Sequence, residues 1–231
     1  GAVTLQGGGT VLLHDLYNGG TYQSAGAAAI TGASATDVLT NVDNTISGYG
    51  QIGQGKMSLV NKGTITATSS TLTLDTGASV IVNTGGLRGE GGNLVINSPL
   101  ITGALVTSSA GGTVTFRNSV TNSGGLQFEA GGKVVLDGGI LAGTGFMSTN
   151  ASTSLEVTTN GTIDGTSQNV QLDGATGVDH GATLTLKGLL ANKGTLSLDG
   201  NAGNGDRASL AVSGAVTLQG GGTVLLHDLY N

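Results

Sequence analysis

A short alternation of apolar and polar positions recurs from one end of this chain to the other. It reads apolar, any residue, apolar, then a polar or small residue and usually Gly or Asn. Examples are Val3-Thr-Leu5, Met57-Ser-Leu59, Leu72-Thr-Leu74, Leu94-Val-Ile96, Val114-Thr-Phe116, Val134-Val-Leu136, Leu155-Glu-Val157, Leu184-Thr-Leu186 and Leu196-Ser-Leu198. Period-two alternation rich in β-branched residues predicts short strands with one buried face. Several are closed by a turn signal, such as Asp137-Gly138, Asp173-Gly174 and Asp199-Gly200. No segment carries a 3.6-residue apolar period long enough for a helix, so the chain reads as all-β.

The spacing of these strands narrows the architecture. Leu94, Val114, Val134 and Leu155 succeed one another at 20, 20 and 21 residues, and Leu196 and Val216 again differ by 20. A second family, including Val82, Leu126 and Leu186, falls between them. Self-similarity near 20 residues with two or three strands per period predicts a β-solenoid, each coil stacked in register on the last. At about 4.8 Å per strand, roughly ten coils would extend roughly 50 Å. Leu94, Val114, Val134 and Leu155 would then form one buried aliphatic file. Glycine and asparagine at the corners are expected to supply positive φ, Asn61, Asn83, Asn97, Asn118, Asn160 and Asn192 among them. Residues 19–36 break the beat and read as a protruding loop or irregular turn.

One stretch occurs twice. Gly1–Asn18 and Gly214–Asn231 are identical over eighteen residues, at an offset of 213. Residues 1–213 therefore read as one full tandem repeat and 214–231 as the start of the next, all within one solenoid spanning 1–231. Open sheet edges at both ends predict end-to-end stacking of chains.

Composition changes the picture in three ways. Glycine is 44 of 231 residues, which raises disorder as a rival, but 37% of residues are hydrophobic and the net charge is only −6. Disorder requires the opposite balance. The acidic surplus and eight scattered basic residues argue against nucleic acid or anionic membrane as partner. No apolar run is long enough to span a bilayer, and the start has no basic segment of a signal peptide. The absence of cysteine excludes disulfides and thiolate chemistry, and suits a protein exported unfolded.

Asn44-Thr-Ile-Ser-Gly-Tyr-Gly-Gln-Ile-Gly53, then Leu59-Val-Asn-Lys-Gly-Thr-Ile-Thr-Ala67, resembles bacterial filamentous-haemagglutinin and autotransporter-type passengers. Asn160-Gly-Thr-Ile163 and Asn192-Lys-Gly-Thr-Leu196 repeat the theme, so that the similarity covers most of 37–231. The resemblance implies a right-handed parallel β-helix, export to the cell surface or medium of a bacterium, and service as the stalk of an adhesin. The partners expected are adjacent repeats of the same chain and further copies stacked end to end, with a glycan or surface ligand as the external target.

Chemistry-bearing motifs each meet a plainer reading. Gly48-Tyr-Gly50-Gln-Ile-Gly53 matches a dinucleotide fingerprint, but the next segment is a strand, whereas phosphate binding needs a helix N-terminus. Asp75-Thr-Gly77 has the letters of an aspartic-protease site without its second carboxylate, and reads as a turn. At one coil's spacing Asp137 lies above Arg117, predicting a surface ion pair, and Asp179 aligns with Asp199 at a turn. His14 and His227 are copies of one position beside Asp15 and Asp228, without a third ligand. The loop 199–207 offers oxygens of Asp199, Asn201 and Asp206 that could hold calcium, but fits no standard calcium loop, and a solvated loop is the expectation. Tyr17, Tyr22, Tyr49 and Tyr230 are too sparse for a glycan-stacking ladder, and the Thr-x-Thr steps share no column. The chain is thus expected to have no catalytic residues and no cofactor. A β-helix enzyme acting on polysaccharide, or a glycan- or surface-binding module, is the alternative to the stalk.

Overall fold

The computed structural model describes residues 1–14, 28–109, 111–128, 131–200 and 205–228. All strand pairings among them are parallel, and no helix occurs among these residues. The chain coils past three walls in turn. The first wall begins with Ala2–Leu5 and runs through Val38–Asn41 to the start of Ser209–Gln219. The second begins with Thr10–Leu13 and the third with Ala29–Thr31. Ten rungs can be traced on each wall through the register. From Val38–Asn41 onward the coil makes about eight turns of about 22 residues.

Alternation decides what each wall buries. On the third wall, Leu72, Leu94, Val114, Val134 and Leu155 are successive register partners, all essentially inaccessible to solvent. Two positions on, Ile52, Leu74, Ile96, Phe116, Leu136 and Val157 form a second inward file. The first wall contributes Leu39, Leu59, Ile81, Leu100, Val120 and Leu141. The second contributes Ile46, Ile65, Leu87, Val106, Leu126 and Met147. These files meet along the axis as one continuous core. Burying a side chain of this kind is worth about 1.5–3 kcal/mol relative to exposure, and every rung contributes several.

The expected file from Leu94 to Leu155 is therefore present, but the 20-residue beat holds only in the middle of the coil. Steps range from 19 residues, as between Leu87 and Val106, through 28, as between Leu196 and Val224, to 36, as between Val3 and Leu39. Corners lie outside the core, so extra residues inserted there leave the inward register untouched. One such insertion, between Gly165 and Val170, shifts the register against the next strand. Val82, Leu126 and Leu186 do not form a second family: Val82 points outward on the first wall, Leu186 points inward there, and Leu126 lies on the second. Val216 likewise does not stack on Leu196, because Val216 lies on the second wall and Leu196 on the third.

The asparagines serve a purpose other than the one expected. Among the described residues the only non-glycines with positive φ are Gln54 and Ser69. Asn41, Asn61 and Asn83 instead stack one above another at the first corner, fully buried. Asn41 Nδ2 donates to Asn61 Oδ1 (2.9 Å), Asn61 Nδ2 to Asn83 Oδ1 (2.7 Å), and Asn83 Nδ2 to Thr102 Oγ1 (3.0 Å). Each amide also secures its own corner: Asn41 and Asn83 donate to the carbonyls of Asn44 and Gly85. A buried amide left without these partners would cost roughly 1–3 kcal/mol, so the ladder ties each corner to its neighbours.

Glycine at the second corner answers two demands at once. In Gly91-Gly92 and Gly111-Gly112 the first residue has φ of +70° and +76°, open to glycine without penalty. The second is pressed onto the preceding coil. A Cβ at Gly112 would lie 2.2 Å from the Gly89 carbonyl oxygen, and one at Gly92 2.5 Å from that of Ser70. The abundance of glycine thus owes much to coil-to-coil contact.

Substituting Asn61→Ala is expected to lower stability by about 2–3 kcal/mol in denaturant melts, since it orphans the Asn83 side-chain carbonyl and one Asn41 donor. Asn97→Ala, on the outer side of the coil, should cost far less. Equal losses would remove the ladder from the account of the corner.

Candidate functional site

A group of titratable side chains, Lys133, Glu156, Asp179 and Asp199, lies on the outside of the third wall, towards the C-terminal end. Alternation places it there. Lys133–Leu136, Ser154–Val157, Ala175–Val178 and Thr195–Gly200 stack in register, with Val134, Leu155, Thr176 and Leu196 turned inward. The outward file at one position reads Glu156, Gly177, Ser197. Because Gly177 has no side chain, a shallow groove of about 280 Å³ opens between Lys133, Glu156, Asp179 and Asp199. A Cβ at Gly177 would come no nearer than 3.9 Å to any atom, that of Asp199 Oδ2, so the position is open space.

Four charged groups define the groove. Lys133 Nζ is paired with Glu156 Oε2. The register partner of Lys133 is Ser154, so Glu156 reaches diagonally across one coil. Asp179 and Asp199 come directly after the register pair Val178 and Leu198 and occupy one corner on successive coils. Burial is the first cause pushing the Asp179 carboxyl above its usual range, and the Glu156 charge adds to it. His180 and Lys133 oppose the shift and Asp199 reinforces it. Asp199 accepts a hydrogen bond from the Ser197 hydroxyl, and its Oδ1 lies 3.6 Å from His227 Nδ1.

The alignment of Asp179 with Asp199 was legible in the spacing. The Lys133–Glu156 pair was not, because it does not lie one period apart; diagonal neighbours on adjacent strands are also within reach of long side chains. Arg117 and Asp137 form the expected ion pair across one coil, Nε to Oδ2 at 2.8 Å, and the Thr159 hydroxyl donates to the other Asp137 oxygen at 3.0 Å. With both partners partly solvated, the pair contributes at most about 1 kcal/mol. Asp75 accepts the Gly77 amide at 2.9 Å, the geometry of a turn. Gly48, Gly50 and Gly53 lie within the strand Thr45–Gly53, and the next element is the strand Ser58–Asn61, so no helix follows these glycines.

Of the calcium candidates, Asn201 lies outside the described residues, Asp206 is exposed, and Asp199 is engaged by Ser197 and His227. No group of three or more His, Cys, Asp or Glu placed to hold a metal ion occurs among the described residues. His14 and His227 sit at opposite ends of the coil. Asp15, Tyr17, Tyr22 and Tyr230 lie outside the described residues, as do residues 19–27 of the expected loop. The part of that loop at Ala29–Thr31 forms the first rung of the third wall.

The coil ends are the other surfaces of interest. Of thirteen large hydrophobics exposed among the described residues, seven lie in the first or last rungs: Val3, Leu12, Val212, Leu218, Val224, Leu225 and Leu226. At the N-terminal end a hollow of about 440 Å³ opens onto Val3, Ile30, Leu39 and Met57. No protein-family model, curated protein or solved structure matches this chain.

The raised Asp179 pKa sets a pH signature. The folded protein holds this proton more tightly than the unfolded chain, so stability falls as pH rises from the ordinary carboxylate value of 3.8 through the raised one. Asp179→Asn should therefore be more stable than the native chain at pH 7, and the difference should close as pH drops below about 3.5. Denaturant midpoints at the two pH values check this; a difference independent of pH would contradict it.

Proposed function

We propose that this chain is a structural repeat segment, a rigid stalk within a large secreted or cell-surface bacterial adhesin-like protein. The observation that carries the reading is the placement of the duplicated stretch. Residues 2–13 make the first rungs of two walls and residues 216–228 the last rungs of two walls, with an uninterrupted core between them. A segment whose opening sequence returns at its far end, on an open edge, is suited to be continued by another copy of itself.

The mechanism is mechanical. Each coil contacts only its neighbours, so stability and length grow with coil number. Core files and parallel ladders resist bending, and the distance spanned is set by the number of repeats. Apolar residues at both ends favour end-to-end association of separate chains. The resemblance to filamentous-haemagglutinin and autotransporter passengers supports export, an extracellular place at the bacterial outer membrane, and a right-handed coil.

A second reading draws on the acidic groove. Glycoside chemistry uses one protonated and one ionised carboxyl group, and Asp179 is shifted towards the protonated form beside Glu156 and Asp199. Glu156, however, is held by Lys133, and the groove is shallow. The same groove offers a glycan- or surface-binding module its polar contacts, but no aromatic platform lies among its lining residues.

A chain carrying two successive repeats should be longer than the single repeat by about 45 Å, at about 4.8 Å per coil, in small-angle scattering or electron micrographs. Two repeats folded side by side, at unchanged length, would overturn the stalk. Release of reducing sugar from polysaccharide that is lost in Asp179→Asn would favour the enzyme instead.

A further inference from the structure

The two copies of the eighteen-residue stretch have one sequence but not one position. In the first copy, Val3 lies on the first wall against Leu39 and Val11 on the second against Ile46. In the second copy the equivalent residues have moved on by one wall. Val216 lies on the second wall against Gly188, Leu218 against Leu190, and Val224 on the third wall against Leu196. The pairing face is preserved: Val3 and Leu5 correspond to Val216 and Leu218, and Val11 and Leu13 to Val224 and Leu226. Between the copies the chain has passed from the first rung of the first wall to the tenth rung of the second, which is nine turns and a third.

We propose that the open edge at Val216–Asp228 is a docking edge for a second copy of this sequence, and that the docked copy is rotated by one wall. The inference rests on the tandem-repeat reading and adds the phase. The occupant is set by identity. Residues 2–13 pair on their C-terminal side with Val38–Asn41 and Thr45–Gly48, and residues 215–226 repeat residues 2–13 letter for letter. The C-terminal stretch is held on its other side by Gly188–Ala191 and Thr195–Gly200, leaving free the edge that the first copy uses. Strands 38–41 and 45–48 of a succeeding copy can therefore pair with 215–226 as they pair here with 2–13.

A corner latch accompanies the pairing. Asp43 Oδ1 accepts the amides of Gly7 and Gly8 at 2.8 and 3.0 Å, and Asn44 Oδ1 accepts that of Gly9 at 2.8 Å. Gly220, Gly221 and Gly222 are the same three residues in the second copy. The Gly222 amide is held by the Asn192 carbonyl at 2.9 Å, so the latch at the next corner of the coil is the Asp43 part alone: Asp43 of the succeeding copy receives the amides of Gly220 and Gly221. Val212, Leu218 and Leu226, exposed at this edge, are covered by the incoming coil. Because the seat is displaced by one wall, each copy turns by a third of a revolution. Any feature carried once per repeat faces three directions in succession and returns on every third copy.

The chain has no cysteine, so disulfide trapping reads the phase directly. Register partners on adjacent strands are about 4.8 Å apart, within the span a disulfide bridges. In the full chain, Leu189→Cys with Thr217→Cys should oxidise to a closed species on non-reducing gels, as both are exposed register partners. Closure of Thr217→Cys with Lys187→Cys instead would place the second copy on the first wall and overturn the rotation. In a two-repeat chain, Thr217→Cys should close with Thr40→Cys of the second repeat, as Thr4 faces Thr40 here. Asp43→Ala in that repeat should slow closure several-fold. Failure of this bridge in a chain that has doubled its coil length would refute the docking edge while leaving the stalk intact; failure of lengthening itself refutes the stalk.

Discussion

The structure depends on parallel stacking in register, in which every inward side chain rests on the equivalent side chain of the coil below. Parallel ladders alone do not impose this, since a slip of one residue would keep the hydrogen bonds and turn the core outward. The files of Leu, Ile and Val impose it. Leu94 is buried because Leu72 and Val114 occupy the same place one coil below and above, and three such walls enclose a core no wider than the side chains that fill it. No coil could bury its own apolar face alone.

Polar and small residues then define the corners. The amide files of Asn41, Asn61 and Asn83 carry the stacking rule into a buried polar setting, where each side chain both donates to the next coil and closes its own turn. The glycines press backbone against backbone where no Cβ fits. Charges remain outside. Arg117 with Asp137, and Lys133 with Glu156, bridge adjacent coils on the surface, adding little energy but no conflict with the register.

An architecture of this kind separates the ends from the sides. The sides are corrugated and largely polar, with a shallow acidic groove around Asp179. The ends expose unpaired ladders and apolar residues such as Val3 and Leu226. Unpaired edges invite another strand, and the chain carries at its C-terminal edge the same residues that pair with Val38–Asn41 and Thr45–Gly48 at its N-terminal one. The proposed role as a unit of a longer coil rests on that asymmetry more directly than on any side chain of the walls.

The strand class, the stacked coil, the file from Leu94 to Leu155 and the Arg117–Asp137 pair were all legible in the chain, because each depends on residues at a constant local spacing. The alternation within Leu72-Thr-Leu74 or Val114-Thr-Phe116 needs no partner to be recognised. What tertiary structure alone decided is where corners take up slack. Extra residues at Gly165–Val170 and between Leu198 and Ser209 lengthen the coil without disturbing its core, so the wall reached by Val216 cannot be counted from a 20-residue beat. The same stretch therefore occupies different walls at its two occurrences, and Lys133 meets Glu156 across a diagonal. Local sequence determines which face of a strand is buried; the path taken through each corner determines which wall that strand joins.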